Sequence, residues 1–272
     1  MKIKERKVIR RAVKFAERIG TTICFEQPDK HNPFLATEVR LHGYEQLALM
    51  EKRSYVETLF LLFQGELPRV EQSTLFEQLM IALINPGPRH PATRAAMTAG
   101  VGRTDASHIL PIGLNILSGQ HLGAGEVEAG MHFLTKHLHT DPAEVAQKLI
   151  GEIPVPPEGD WRPAPGFGSR FGGVDPIAAK IAGKLNKLPG SGNSLAWADI
   201  FAKELANNWA GWLTTGIAAA TLNDLGFDSR TGGCLYQLIC APGLLAHGLE
   251  LSRKSITAMP FPTDSHYIIE ES

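Results

Sequence analysis

The apolar residues of this chain recur almost everywhere at helical intervals. Ser54-Tyr55-Val56-Glu57 reads as a capping box, in which serine and glutamate each satisfy a backbone donor at a helix start. Val56, Leu59, Phe60 and Phe63 follow it as one apolar stripe. Gly65-Glu66-Leu67-Pro68 breaks the chain, and Phe76, Leu79, Met80 and Leu83 resume the pattern. Asp141-Pro142 predicts another helix start, with Val145 and Leu149 on its buried side. Asp175-Pro176 predicts a further one, with Ile177, Ile181 and Leu185 turned inward. At the N-terminus a first helix is expected, with a basic solvated face and Ile9, Val13 and Ala16 inside. Strand signals are sparse: Thr21 to Phe25 and Thr37 to Leu41 can pair as a hairpin, and nothing else alternates. The predicted class is all-α.

Composition narrows the picture a little. The 272 residues carry 27 basic and 28 acidic side chains, a net charge of -1, which argues against a nucleic-acid partner or a polybasic membrane contact. Cys24, Cys234 and Cys240 include no Cys-x-x-Cys pair and read as reduced thiols in a cytoplasmic protein. The basic N-terminus lacks the apolar segment of a secretory signal. The apolar run from Cys234 to Leu249 is interrupted by Gln237, Pro242-Gly243 and His247 and falls short of the roughly 20 residues of a membrane span. It reads as a Pro-kinked core helix. His132, His137 and His139 have no spacing partner that would complete a metal set, and no Walker loop, nucleophile elbow or dinucleotide fingerprint is present.

Two stretches rich in Pro, Gly and Ser lie in the second half. Residues 188–194 join two helices, and residues 154–173 hold Pro165-Gly166-Phe167-Gly168-Ser169-Arg170-Phe171-Gly172-Gly173 just before Asp175-Pro176. Glycines there let backbone approach a ligand closely. This segment resembles the substrate loop of the citrate synthase superfamily, in particular its short citryl-CoA lyase-like branch, which reads Pro-Gly-Phe-Gly-His-Arg-Phe before Asp-Pro-Arg. Other stretches are similar in the same order: Glu38 to Tyr44, Ser54 to Pro68, Leu117 to Gly125 around His121, Leu222 to Asp228, and Pro242 to Glu250. The resemblance implies a citrate synthase-like fold, a large helical domain from residues 1–121 and 213–272 with a smaller helical domain, 122–212, inserted between them. It also implies a homodimer, with acyl-CoA or CoA as a substrate rather than a bound cofactor.

The family enolises an acyl-CoA and joins its carbon to a ketoacid carbonyl, or runs the reverse cleavage. That takes a base, a donor for the enol oxygen and an acid for the ketone oxygen. The resemblance places the first catalytic His at His121. The second falls at Ser169, which donates a hydrogen bond but holds no spare proton near neutral pH, or simply fills the vacated space. The catalytic Asp falls at Thr215, and no Asp or Glu lies between Glu204 and Asp224 to replace it. Of the arginines that hold two carboxylates, one falls at Ile177, one at Cys240 and one near Met259. The Asp-His-Gly segment is Asn85-Pro86-Gly87 here, with His90 the only nearby imidazole. Gly166, Phe167, Gly168 and Arg170 are the expected substrate contacts. Arg170 and Lys184, with Lys180 and Lys187, meet CoA phosphates or form a solvated face.

Two readings stay open. In one, an acyl-CoA transferase or lyase takes a second substrate less anionic than oxaloacetate, with Ser169 and Thr215 as hydrogen-bonding walls. In the other, the chain is an inert paralogue that partners or regulates a catalytic relative. A remote third is a small-molecule sensor that keeps only the CoA pocket.

Overall fold

The computed structural model describes residues 16, 18–156, 160–170, 172–260, 262–263, 265–268 and 270. The expected first helix, with Ile9 and Val13, lies outside the described residues; Ala16 is exposed. The chain forms two compact units, Met1–Leu67 and Pro68–Ser272.

In the first unit, β1 (Cys24–Pro28), β2 (Ala36–Leu41) and β3 (Tyr44–Glu45) make an antiparallel sheet, followed by α1 (Gln46–Lys52) and α2 (Tyr55–Gln64). The hairpin predicted from the sequence exists, but β1 starts three residues later than expected, with Cys24 opposite Leu41. His42 and Gly43 join β2 to β3 with φ of 46° and 87°, the two left-handed residues of a tight hairpin turn whose twist suits the strands. The His42 ring contacts the Leu62 carbonyl of α2 at 3.3 Å. The capping box is formed as read: Ser54 N–H donates to Glu57 at 2.8 Å and Glu57 N–H to the Ser54 hydroxyl at 3.2 Å. Leu59, Phe60 and Leu61 are buried, whereas Phe63 is half-exposed at the end of the stripe.

The second unit holds α3 (Val70–Leu83), α4 (Pro91–Val101), α5 (Ala106–Leu117), α6 (Ala124–His137), α7 (Pro142–Glu152), α8 (Pro176–Leu185), α9 (Asn193–Leu205), α10 (Thr214–Asp224) and α11 (Ser229–Ser252). A second small antiparallel sheet, β4 (Trp161–Ala164), β5 (Phe167–Ser169) and β6 (Gly211–Trp212), has no counterpart in the sequence reading. Part of the glycine-rich segment is thus a central strand. Phe167 is fully buried against the Phe201 and Trp212 rings, each at 5.0 Å between centroids, which anchors β5 to α9 and β6.

α10 lies at the centre. Residues 215 to 222 are all buried, as a helix apolar on every side must be, and α10 packs against α6, α9, α11, α3 and α8. α11 packs against α4, α5, α6 and α10. Its 24 residues reach the length and hydropathy of a membrane-crossing helix, and 44% of its most apolar window is buried within the protein. Gly100 of α4 and Gly248 of α11 meet so closely that a Cβ on Gly100 would overlap the Gly248 carbonyl. Pro142 and Pro176 open α7 and α8 behind capping Asp141 and Asp175, as expected. The inward face of α8 differs from the reading. Ala178, Ala182 and Leu185 are buried, Ile181 is half-buried, and Ile177 is 60% exposed, so the buried stripe is turned by about one residue toward the alanines.

Asp224 closes this arrangement. α9 begins at Gly192, which has no capping side chain, and Asp224 at the end of α10 accepts from Gly192 N–H (2.8 Å), Ser194 N–H (2.8 Å) and Leu195 N–H (3.0 Å) instead. Replacing it strands three donors at a helix start. Asp224→Ala should therefore cost about 2–4 kcal/mol of unfolding free energy, and Asp224→Asn less, measured by urea denaturation. Equal stability of the alanine variant and the parent would refute the distant cap.

Candidate functional site

The connection from α5 to α6 carries His121. Leu122 adopts φ of 58°, a left-handed conformation that costs a non-glycine residue about 1–2 kcal/mol, so its surroundings must hold it there. Both of its peptide groups are tied. Its N–H donates to Glu126 Oε2 at 2.7 Å. Its carbonyl accepts from His90 Nε2 at 3.0 Å and from the Tyr236 hydroxyl at 3.3 Å. His90 Nδ1 accepts the Ala92 N–H at 3.1 Å, so the proton of the neutral ring sits on Nε2. Burial pushes the His90 imidazole below its ordinary value, and the nearby Arg170 charge adds to that against the bond to Leu122. Burial also raises Tyr236 well above the usual phenol range, so it stays a donor. His121 itself is exposed, and its ring has no hydrogen bond among the described residues.

Glu126 is the centre of the site, and sequence reasoning missed it. It stands in the first turn of α6, where the helix end favours an acid, and is only 3% exposed. Oε2 accepts from Leu122 N–H and from the Thr215 hydroxyl at 3.0 Å. Oε1 accepts from Arg162 Nη1 at 2.6 Å and from Gly166 N–H at 3.3 Å. Arg162 also pairs with Asp160 at 3.2 Å. The segment 205–223 lacks a carboxylate, as the sequence shows, yet Thr215 touches one supplied by α6. Only the fold brings these residues together, 89 positions apart. The one local signal was an acid in the first turn of the helix that follows His121.

Gly166 joins the glycine loop to this centre. Its φ is 82°, its carbonyl accepts Leu213 N–H at 3.0 Å, and a Cβ here would overlap the backbone of Gly216. The loop therefore lies directly on the N-terminus of α10, beside the fully buried Thr215. Gly168 passes equally close to the Trp161 carbonyl. Ser169 is 4% exposed and its hydroxyl has no hydrogen-bond partner among the described residues. Arg170 follows, half-buried and bridged to Gly173. Cys240 is buried one helical turn from Tyr236; its thiol donates to the Leu83 carbonyl at 3.4 Å, and burial pushes it up to about 12.

Gly166 and Thr215 thus meet on Glu126, which also bonds Leu122, the residue after the exposed His121, and Cys240 lies a helical turn from Tyr236. Ile177 and Lys184 are not part of that gathering. Ile177 is exposed on the first turn of α8, and Lys184 is exposed on its last. A cavity of about 370 Å³ between α8, α9 and β6 is lined instead by Lys187, with Lys203, Asp199 and Trp212. A smaller one, about 210 Å³, is bounded by Gln120, Glu126, Arg162 and Pro163 to Pro165.

No family model and no curated protein matches the sequence. Solved structures do. Citryl-CoA lyase from Hydrogenobacter thermophilus superposes with a TM-score of 0.73 over 94% of this chain and 96% of that one, at 22% identity. ATP citrate lyase from Methanosaeta concilii, solved with (3S)-citryl-CoA, gives 0.73 at 15% identity over 96% of this chain, which spans only 43% of that longer protein. Citrate synthase from Thermotoga maritima gives 0.52 at 15% identity, covering 96% of each chain. The fold is therefore citrate synthase-like, as the sequence motifs led us to expect. The likeness in fold runs along nearly the whole length of the citryl-CoA lyase.

Thr215→Asp is expected to harm this protein rather than restore a lost catalyst. The introduced carboxyl would face Glu126 at about the present 3.0 Å, where two like charges cannot both persist. While protonated it donates as the threonine does, so its folded-state pKa is raised above the unfolded value near 4. The stability deficit should be small near pH 4 and grow as pH rises toward 8. Thermal melts of parent and variant across that range measure it; a deficit that shrinks with rising pH would contradict the placement of Glu126.

Proposed function

We propose that this chain handles an acyl-CoA thioester at the Glu126-centred site, forming or cleaving a carbon–carbon bond with a second substrate less anionic than oxaloacetate. The observation that carries this is the convergence of the His121 turn, the glycine loop and the start of α10 on one buried carboxylate, in a chain with the fold of a citryl-CoA lyase. His121, with its ring free, is the group for the thioester or enolate oxygen. Ser169 and Thr215 supply hydroxyl walls, Gly166, Phe167 and Gly168 the backbone cradle, and Arg170 a charge for substrate or CoA phosphate. Cys240, neutral and buried, cannot hold a carboxylate, and Ile177 offers only an apolar side chain. CoA enters as substrate, with no further cofactor, in a cytoplasmic setting. The division into 1–121, 122–212 and 213–272 is part of the same proposal.

A second reading, an inert paralogue serving a catalytic relative, draws support from Glu126 itself. All four acceptor positions of its carboxylate are occupied, so no carboxylate oxygen is left to take a substrate proton. Calorimetry with CoA and acetyl-CoA, together with release of free CoA, separates the readings. We expect binding of acetyl-CoA and no citrate synthesis from acetyl-CoA and oxaloacetate, since each missing acid or base costs about 10²–10⁴-fold. Rapid CoA release with oxaloacetate would overturn the assignment of the second substrate. Failure to bind any CoA species would overturn the first reading altogether.

The assembly we propose is a homodimer. Ile81 and Ile84 at the end of α3, Ile116 of α5 and Leu238 of α11 are 59%, 47%, 49% and 40% exposed, more large apolar surface than isolated helices normally leave in water. Light scattering at micromolar concentration should give twice the 29.6 kDa chain mass. A monomer mass, unchanged by an aspartate at Ile116, would refute it.

A further inference from the structure

The geometry points to Glu126 as the positioning residue of this site. By this inference it is not a proton acceptor but the carboxylate that bonds all three of the His121 turn, the glycine loop and the start of α10 and so keeps them in register. Three observations lead there. The first is saturation: Leu122 N–H, the Thr215 hydroxyl, Arg162 Nη1 and Gly166 N–H use both lone pairs of each oxygen. The second is the origin of those donors. Leu122 is next to His121, Gly166 is in the glycine loop, Thr215 opens α10, and Arg162 belongs to β4. Among the described residues no backbone hydrogen bond joins the His121 turn to the loop, and the carboxylate is their shared partner. The third is strain: Leu122 sits at φ 58°, and its N–H has Glu126 as its acceptor.

The chemical consequence concerns how the residues act. His121 is exposed and its ring has no hydrogen bond among the described residues, so what fixes its place is its backbone, through the Leu122 peptide that follows it. Losing the Glu126 bond frees the N–H side of that peptide, while His90 and Tyr236 still hold its carbonyl. A glutamine at this position presents an amide N–H₂ to donors on one side, so it cannot keep all four bonds. An aspartate keeps the charge but is one methylene too short to span Leu122, Thr215, Arg162 and Gly166 together.

The test needs no substrate for its main arm, so it is independent of the acyl-CoA reading. Glu126→Gln and Glu126→Asp are prepared in the full chain, and folding is checked by circular dichroism. Amide hydrogen exchange is followed at Leu122 and Gly166. The His121 ring resonances, assigned by comparison with His121→Gln, are compared between parent and variants. We expect exchange at both amides to accelerate at least tenfold while α10 and α11 stay protected, and the His121 resonances to shift or broaden. A purely global loss of stability would speed exchange everywhere and leave the His121 signals of the folded protein in place, which would overturn the inference. Unchanged Leu122 exchange in either folded variant would overturn it as well. If the glutamine variant does not fold, the aspartate variant decides by the same two readouts. A separate arm measures acetyl-CoA affinity by calorimetry. A fall of tenfold or more in the variants is expected. Binding by the parent that the folded variants retain in full overturns the positioning role, while no binding by the parent overturns the acyl-CoA reading and leaves the exchange result to judge Glu126.

Discussion

A carboxylate that is almost wholly buried must collect donors, because leaving one lone pair unmet in a protein interior costs more than most single contacts return. Glu126 collects four, from four separate segments. Much of the second unit is arranged to make that possible. The Leu122 peptide turns left-handed to present its N–H, and Gly166 lacks a side chain so that the loop can lie on Gly216. Thr215 is buried at the start of α10 with its hydroxyl directed at the acid. The ion pair with Arg162 contributes little net stability if its desolvation is counted, but removing either partner would leave an uncompensated charge in the interior. Such pairs fix geometry more than they add stability, and here the geometry fixed is that of the His121 turn, the glycine loop and the start of α10.

The other face of the His121 turn is held by neutral groups. His90 and Tyr236 both donate to the Leu122 carbonyl, and burial keeps both uncharged, one by lowering an imidazole and the other by raising a phenol. The turn is thus clamped between an anionic acceptor at its N–H and two neutral donors at its carbonyl. This division is physically economical. A charged donor on the carbonyl side would need its own counter-charge, and the Glu126 carboxylate is already taken up by four donors. It also explains why His90, an isolated imidazole in the sequence, is buried: it caps α4 through Nδ1 and reaches the turn through Nε2.

What the sequence disclosed depended on the range of the interaction involved. Features closed within four residues were legible: the Ser54–Glu57 box, the aspartate caps before Pro142 and Pro176, and the helix break at Gly65, which ends α2 in a left-handed conformation. The overall fold was legible through motifs in order. The β4–β6 sheet was not, because strands of two to four residues carry no periodicity and pair with partners far along the chain. The face of α8 was misjudged for a different reason. Weight was given to Ile177 and Ile181 as large apolar residues, but α8 buries Ala178 and Ala182, whose small side chains let it approach its neighbours closely. Asp224 looked like part of a motif and proved to be a helix cap for α9, a role that no local spacing reveals.

The candidate site shows the same limit at its most consequential point. Thr215 stands where the resemblance puts a base, and no Asp or Glu between Glu204 and Asp224 replaces it, but that stretch of sequence says nothing of the facing helix. A side chain's neighbours in space are set by packing, and α6 and α10 pack together along their lengths. The acid that matters stands on the facing helix. Yet its presence does not reinstate the missing chemistry, since a carboxylate saturated by four donors organises a site without having a lone pair to spend on a substrate. The loss read from the sequence and the carboxylate found in the structure are therefore compatible. The site retains a buried carboxylate at its centre as a structural element.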